Sequence, residues 1–153
     1  MAMLTSLMLL FIIFSMGNAE VNLVMKCPAG WSNFGLRCFK FFPQSVNWIT
    51  AERNCQSLGA HLASAHNKLE NEFLLGLLPS PSTLTWIGAH DGEQDGEWLW
   101  TDGTVNDYTN WCPVEPNNYR GPENCVEINW DGKRCWNDAA CSVQLKYICV
   151  TDL

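Results

Sequence analysis

The sequence predicts a small α+β domain: two short helices in its first half, short antiparallel strands and long loops in the remainder, and disulfides as staples. Three observations carry this. Two stretches place apolar residues at helical spacing. Short aromatic and β-branched runs, separated by Gly, Pro, Asn and Asp, follow them. Eight cysteines lie behind an apolar leader in a chain of 153 residues.

Residues 1–19 carry no charged side chain, and their middle, Leu7 to Phe14, is unbroken apolar sequence. That run is shorter than the ~20 residues needed to cross a bilayer. It ends in Gly17-Asn18-Ala19, a small-x-small pattern suited to signal peptidase. The reading is a cleaved secretory signal at 1–19 and one domain over 20–153. Nine basic against 16 acidic residues give a net charge of −7. With no basic cluster, nucleic acid is excluded as a partner, because phosphate neutralisation needs grouped Lys and Arg. No later segment is apolar enough for a membrane span, so the product is expected to be soluble and secreted.

Cys27, Cys38, Cys55, Cys112, Cys125, Cys135, Cys141 and Cys149 all follow the leader. An even count behind a secretion signal reads as four disulfides. Zinc is the competing reading, but no Cys-x2-Cys pair exists and His61, His66 and His90 fall in no ligand spacing. Spacing alone leaves the pairing open.

The first helix is expected over Ser45 to Leu58, with Trp48, Ala51, Cys55 and Leu58 on one face and Gly59 as terminator. The second begins at Asn67, with Glu70 three residues on in capping-box fashion, and aligns Leu69, Phe73 and Leu77. Pro79-Ser80-Pro81-Ser82 stops it. Before the helices, Gly35 to Phe42 suits a strand paired with the segment around Cys27. After them, Leu84 to Gly88, Glu97 to Thr101, Cys125 to Trp130 and Lys146 to Thr151 are strand candidates. The stretch from Thr101 to Cys125 is a long loop rich in Asn, Pro, Gly and Asp. A loop of that length in a small domain is usually functional, and Trp111 and Cys112 should pin it. Trp86, Trp98, Trp100 and Trp136 read as packing residues. His61 and His66 read as structural or exposed, and His90 receives no role.

Between Asp91 and Asp138 stand eleven acids against three bases. Within them, Glu115-Pro116-Asn117, Glu123 and Asn137-Asp138 form an oxygen-rich set. Carboxylate and amide oxygens are what calcium takes, with 6–8 in its shell. Magnesium suits a mixed, loop-borne set less well. On composition alone, turn-forming Asn and surface Glu are the simpler reading.

The spacing favours the site. Glu115-Pro116-Asn117, Glu123, Cys125, Trp136-Asn137-Asp138 and Cys141 resemble the C-type lectin domain. Trp86-Ile87-Gly88-Ala89 and Trp98-Leu99-Trp100-Thr101-Asp102-Gly103 resemble its core strands. The resemblance runs from Cys27 to Cys149. It implies a C-type lectin-like fold: two short helices, small antiparallel sheets and a long calcium-binding loop. It also implies bridges Cys55–Cys149, Cys125–Cys141 and Cys27–Cys38, leaving Cys112 with Cys135. An extra bridge of that kind occurs in the fish lectins and type II antifreeze proteins of the family. Closing the long span from Cys55 to Cys149 is worth about 4–5 kcal/mol on the loop-entropy model.

By the same resemblance, Glu115, Asn117, Glu123, Asn137 and Asp138 are calcium ligands and contact the sugar, and Pro116 matches a cis proline. In the family, Glu-Pro-Asn accompanies mannose, N-acetylglucosamine or fucose, and Gln-Pro-Asp accompanies galactose. Tyr119 is the one residue after the motif able to stack on a sugar. At the family's auxiliary site Asn118 and Asn124 replace acids, so Asp91 and Asp95 read equally well as solvated surface. The expected function is therefore a secreted, Ca2+-dependent lectin for glycans with mannose-type terminal sugars, with self-association left open. The alternative is a type II antifreeze protein using the same loop on ice. No Gly-x-Ser-x-Gly elbow, Cys-His pair or zinc motif suggests an enzyme.

Overall fold

The computed structural model describes residues 25–153; the leader expected at 1–19 lies outside the described residues. In chain order the elements are β1 (Ser32–Phe34), β2 (Arg37–Val46), α1 (Trp48–Ser57), β3 (His61–Leu62), α2 (Lys68–Gly76), β4 (Thr85–His90), β5 (Leu99–Trp100), β6 (Cys125–Ile128), a 3-10 turn (Trp130–Gly132), β7 (Trp136–Ala139) and β8 (Leu145–Asp152). Both predicted helices and the four later strand candidates are present.

The strands join in the order β1-β2-β8-β4-β6-β7, with β3 on β8 and β5 on β4. Among the described strands only β4 and β8 run parallel. Side chains alternate across a strand, and here the alternation feeds two cores. Ile87, Val126, Ile128, Ile148 and Val150 pack with Phe39, Leu74, Trp100 and Trp136. Trp86, Cys125, Tyr147 and Cys149 pack with Trp48, Ala51 and Leu62 of the α1 side. Buried on both faces, the central strands read as nearly continuous apolar runs, as such strands should.

The helices begin at asparagine caps. Asn47 Oδ1 accepts from Thr50 N at 2.9 Å, and Asn67 Oδ1 from Glu70 N at 2.9 Å. The α1 pattern therefore starts later than Ser45, because Ser45 and Val46 still belong to β2. Gly59 ends it at φ +71°, the left-handed conformation a terminator needs. On α2 the expected stripe holds at Phe73 and Leu77, which pack against the core, and fails at Leu69. Leu69 is exposed, while Glu70, Asn71, Leu74 and Leu75 are buried. Polar burial explains the error: Glu70 accepts from Arg37 Nε at 3.0 Å and from His66 N at 2.8 Å, and Asn71 Oδ1 accepts from Trp136 Nε1 at 2.9 Å. A search for apolar periodicity cannot see such a face.

One strand expectation needs correction, and one strand was not foreseen. The segment around Cys27 is not the partner of β2; β1 and β8 are, and Cys27 is tied only by its disulfide. β7 carried no strand signal, because Trp-Asn-Asp-Ala is poor in β-formers; its pairing with β6 supplies the structure. The four bridges are Cys27–Cys38, Cys55–Cys149, Cys112–Cys135 and Cys125–Cys141, as the resemblance implied, with Cα–Cα separations of 5.5, 5.5, 5.0 and 5.3 Å.

Candidate functional site: a carboxylate and amide loop

The long loop after β5 is fastened at its middle. Cys112 N donates to Trp136 O and Trp136 N to Asn110 O, both at 2.8 Å. Trp98, Trp111, Tyr108 and Trp100 gather about Trp136 with ring centroids 4.9–5.9 Å apart. Nearer β5, Asp107 accepts from His66 Nδ1 at 2.7 Å. Beyond these fastenings the chain turns through Val114 (φ +71°), a cis Glu115–Pro116 bond, Asn118 (φ +50°) and Arg120 (φ +62°). Left-handed non-glycine residues are uncommon and collect at functional segments.

Asp138, fully buried on β7, organises the turn. Its carboxylate accepts from Asn117 N at 3.0 Å and Asn118 N at 2.8 Å. Glu123 accepts from Tyr119 N at 2.7 Å, and Asn118 Oδ1 accepts from Glu123 N at 3.0 Å. The turn is thus tied to Asp138 and Glu123, and Glu115 lies near enough to feel the charge of both acids. Asn137 is also buried, and its Nδ2 donates to the buried carboxylate of Glu127 at 2.9 Å. Tyr119 is exposed, and the Arg120 guanidinium lies 5.0 Å from its ring centroid.

The electrostatics are those of crowded acids. Burial, a hydrogen bond with the Asp138 carboxyl and the charges of Asp138 and Glu123 push Glu115 up to about 6. Burial pushes Glu127 up to about 7, against the pull of the Asn137 amide. Glu123 is raised by burial and by Asp138. Glu115 Oε2 is buried without a hydrogen-bond partner. Among the described residues, no three acidic, histidine or cysteine side chains draw together as a metal cage; the set depends on amide oxygens as well. A hard cation fits the donors present. It would answer the orphaned Glu115 oxygen and offset three acids that now oppose one another.

Beside this set, Asp95, Asn118, Gly121, Pro122 and Asn124 line a depression of about 400 Å3. Asp95 Oδ1 accepts from Asn118 Nδ2 at 2.8 Å. Asp91 departs from the solvated-surface reading. It is buried, Oδ2 accepts from Gly96 N at 2.8 Å, and Oδ1 has no partner.

Sequence reasoning missed two further groups. One is Glu127, whose place opposite Asn137 follows from strand register alone. The other is Ser64, His66 and Asp107, where Ser64 Oγ stands 3.2 Å from His66 Nε2. That order of atoms resembles a hydrolytic triad. Ser64, however, is fully buried and its hydroxyl is hydrogen-bonded to Asp102 and Arg37, so the group fastens the loop.

A two-sided sheet, a disulfide-clamped loop and a cis-proline turn facing a strand aspartate define a lectin-type recognition domain. The chain belongs to the Lectin C-type domain family, whose model matches residues 44–151. It is similar to ladderlectin of Oncorhynchus mykiss, at 46% identity over 119 residues covering 76% of this chain and 63% of that one. It therefore spans less than two thirds of that relative. It is also similar to the galactose-specific lectin nattectin of Thalassophryne nattereri, at 36% identity with 89% and 87% covered. Among solved structures, a calcium-independent type II antifreeze protein superposes with a TM-score of 0.77 at 35% identity, covering 83% of this chain and 95% of that one. The cow C-type carbohydrate-recognition domain of CD23, solved in the presence of a GlcNAc2Man3 oligosaccharide, gives 0.78 at 35% identity, with 84% and 97% covered. None of these proteins is an enzyme. Among the described residues no helix is long and apolar enough to cross a membrane.

Proposed function

We propose that this chain is a secreted, Ca2+-dependent lectin for glycans ending in mannose-type sugars. The observation that carries it is the turn Glu115-Pro116-Asn117 held against Asp138 and beside Glu123. Glu115, Asn117, Glu123, Asn137 and Asp138 would hold the ion, which supplies a Lewis-acidic point for sugar hydroxyls. The chain's own residues do the discriminating. An ionised Glu115 only accepts hydrogen bonds, whereas the Asn117 amide can donate. Asn117 Oδ1 already accepts from Tyr119 N at 2.9 Å, which fixes the amide and leaves Nδ2 to donate. A pair of ring hydroxyls that donates to Glu115 and accepts from Asn117 closes this network. Exposed Tyr119 offers a flank for the sugar ring. The galactose specificity in nattectin's name belongs to that protein; here the Glu-then-Asn order supports the mannose type. Four disulfides agree with an oxidising, extracellular setting, and the apolar leader at 1–19 supports export.

A glycan array run with calcium and again after chelation tests this. Mannose-type signals that vanish on chelation are expected, and galactose signals or indifference to chelation would overturn it. The likeness to a calcium-independent antifreeze protein favours ice binding as the second reading. Thermal hysteresis without sugar binding would select it.

A further inference from the structure

Resting on the calcium reading above, we infer that Glu127 is a positioning residue, whose buried carboxylate fixes the Asn137 side-chain amide in the one orientation that frees its oxygen. Glu127 and Asn137 are directly paired across β6 and β7, both are buried, and Asn137 Nδ2 donates to Glu127 Oε1 at 2.9 Å. An asparagine amide can turn either end toward a partner, offering NH2 or C=O. An ionised carboxylate accepts and cannot donate, so in that state it selects the NH2 end. Oδ1, at the opposite end of the amide, then has no donor among the described residues. It is the only atom of this side chain that a hard cation can use.

The choice of acid at this place needs such a reason. Glu127 stands among the charges of Glu123, Asp138 and Glu115, where another carboxylate adds repulsion and burial penalises its charge. Glutamine would fill the same volume without that cost. It could also donate to Asn137 Oδ1 and turn the amide around. Ionised, the acid is the side chain that excludes the wrong orientation. Outer partners of this kind commonly alter metal affinity by 10–100-fold when changed.

The test has two readouts on the oxidised protein at pH 8. The first is exchange of the Asn137 side-chain amide hydrogens, followed by 15N NMR without metal. They should exchange slowly in the wild type and at least about tenfold faster in Glu127→Ala. The second is calcium calorimetry, where Glu127→Gln and Glu127→Ala should each bind about tenfold more weakly than wild type. Equal amide exchange in folded Glu127→Ala, or calcium affinities within about twofold of wild type in both variants, would overturn the inference. Should Glu127→Ala fail to fold, Glu127→Gln carries both readouts. A wild type that takes up no calcium counts against the proposed function alone, and amide exchange still decides the role of Glu127.

Discussion

A carboxyl whose folded pKa lies above its unfolded value holds its proton more tightly in the folded protein. Folding is then favoured as pH falls. Glu115, pushed up to about 6, and Glu127, pushed up to about 7, both do this from an ordinary value of 4.5. Their cost to the metal-free protein is full above about pH 7 and gone below about 4.5. Asp107 has the opposite sign, since its hydrogen bond with His66 holds it below 3.8, and so it matters only in stronger acid. The metal-free protein should therefore melt a few °C higher at pH 5 than at pH 8. Glu115→Gln should raise the pH 8 midpoint and flatten the profile. A midpoint that rises steadily from pH 5 to pH 8 in thermal scans would contradict these carboxyl assignments. Specificity is argued at the same scale. Glu115→Gln with Asn117→Asp makes position 115 able to donate and position 117 acceptor-only, reversing the pair. Array preference should move from mannose towards galactose, and an unchanged pattern would remove these two residues from sugar contact.

At the level of elements, the Asn67 cap, the Gly59 terminator, the later strand runs and the cysteine count were legible because each is written locally. The buried face of α2 was only half legible, since two of its four buried residues are a glutamate and an asparagine whose partners lie on β2 and β7. β7 was hidden because pairing, and no local preference, makes it a strand. In the site, the motif around Pro116 was readable in one stretch, whereas Glu127 needed the β6–β7 register. Two changes test how the elements hold together. A Cβ on Gly88 of β4 would come within 2.6 Å of Leu62 O and 2.8 Å of Thr101 Oγ1. Gly88→Ala must part β3 from the β4–β5 corner, and it should cost about 1–3 kcal/mol in denaturant unfolding; no loss would mean this crossing is loose. The second concerns Cys112–Cys135, which closes a separation of 23 residues around the loop. Replacing both cysteines by serine should cost about 3 kcal/mol and speed hydrogen exchange over residues 104–124. The two-sided core should stay protected, because neither cysteine pairs with its strands' other bridges. Exchange rising evenly through the whole domain would show that the bridge serves the core.

Taken whole, the molecule is a two-faced sheet whose rigidity is spent holding one irregular loop. The aromatic group around Trp136, the His66–Asp107 contact and the Cys112–Cys135 bridge all fasten that loop to the body. Binding at its acids should then be felt by global unfolding. A ligand that binds only the folded state stabilises it by RT ln(1 + [L]/Kd), about 2.7 kcal/mol at a hundredfold excess over Kd. At pH 7.5, calcium should raise the melting midpoint in proportion to the logarithm of its concentration. It should also reverse the pH trend of the metal-free protein, because protons and calcium compete for Glu115 and Glu123. Magnesium at equal concentration should do less, since a mixed loop set suits its strict octahedron poorly. Differential scanning at several calcium concentrations, with Asp138→Asn alongside, reads all three effects. A midpoint indifferent to calcium in the wild type would move this chain beside the calcium-independent antifreeze fold it resembles, and thermal hysteresis would then be the property to measure.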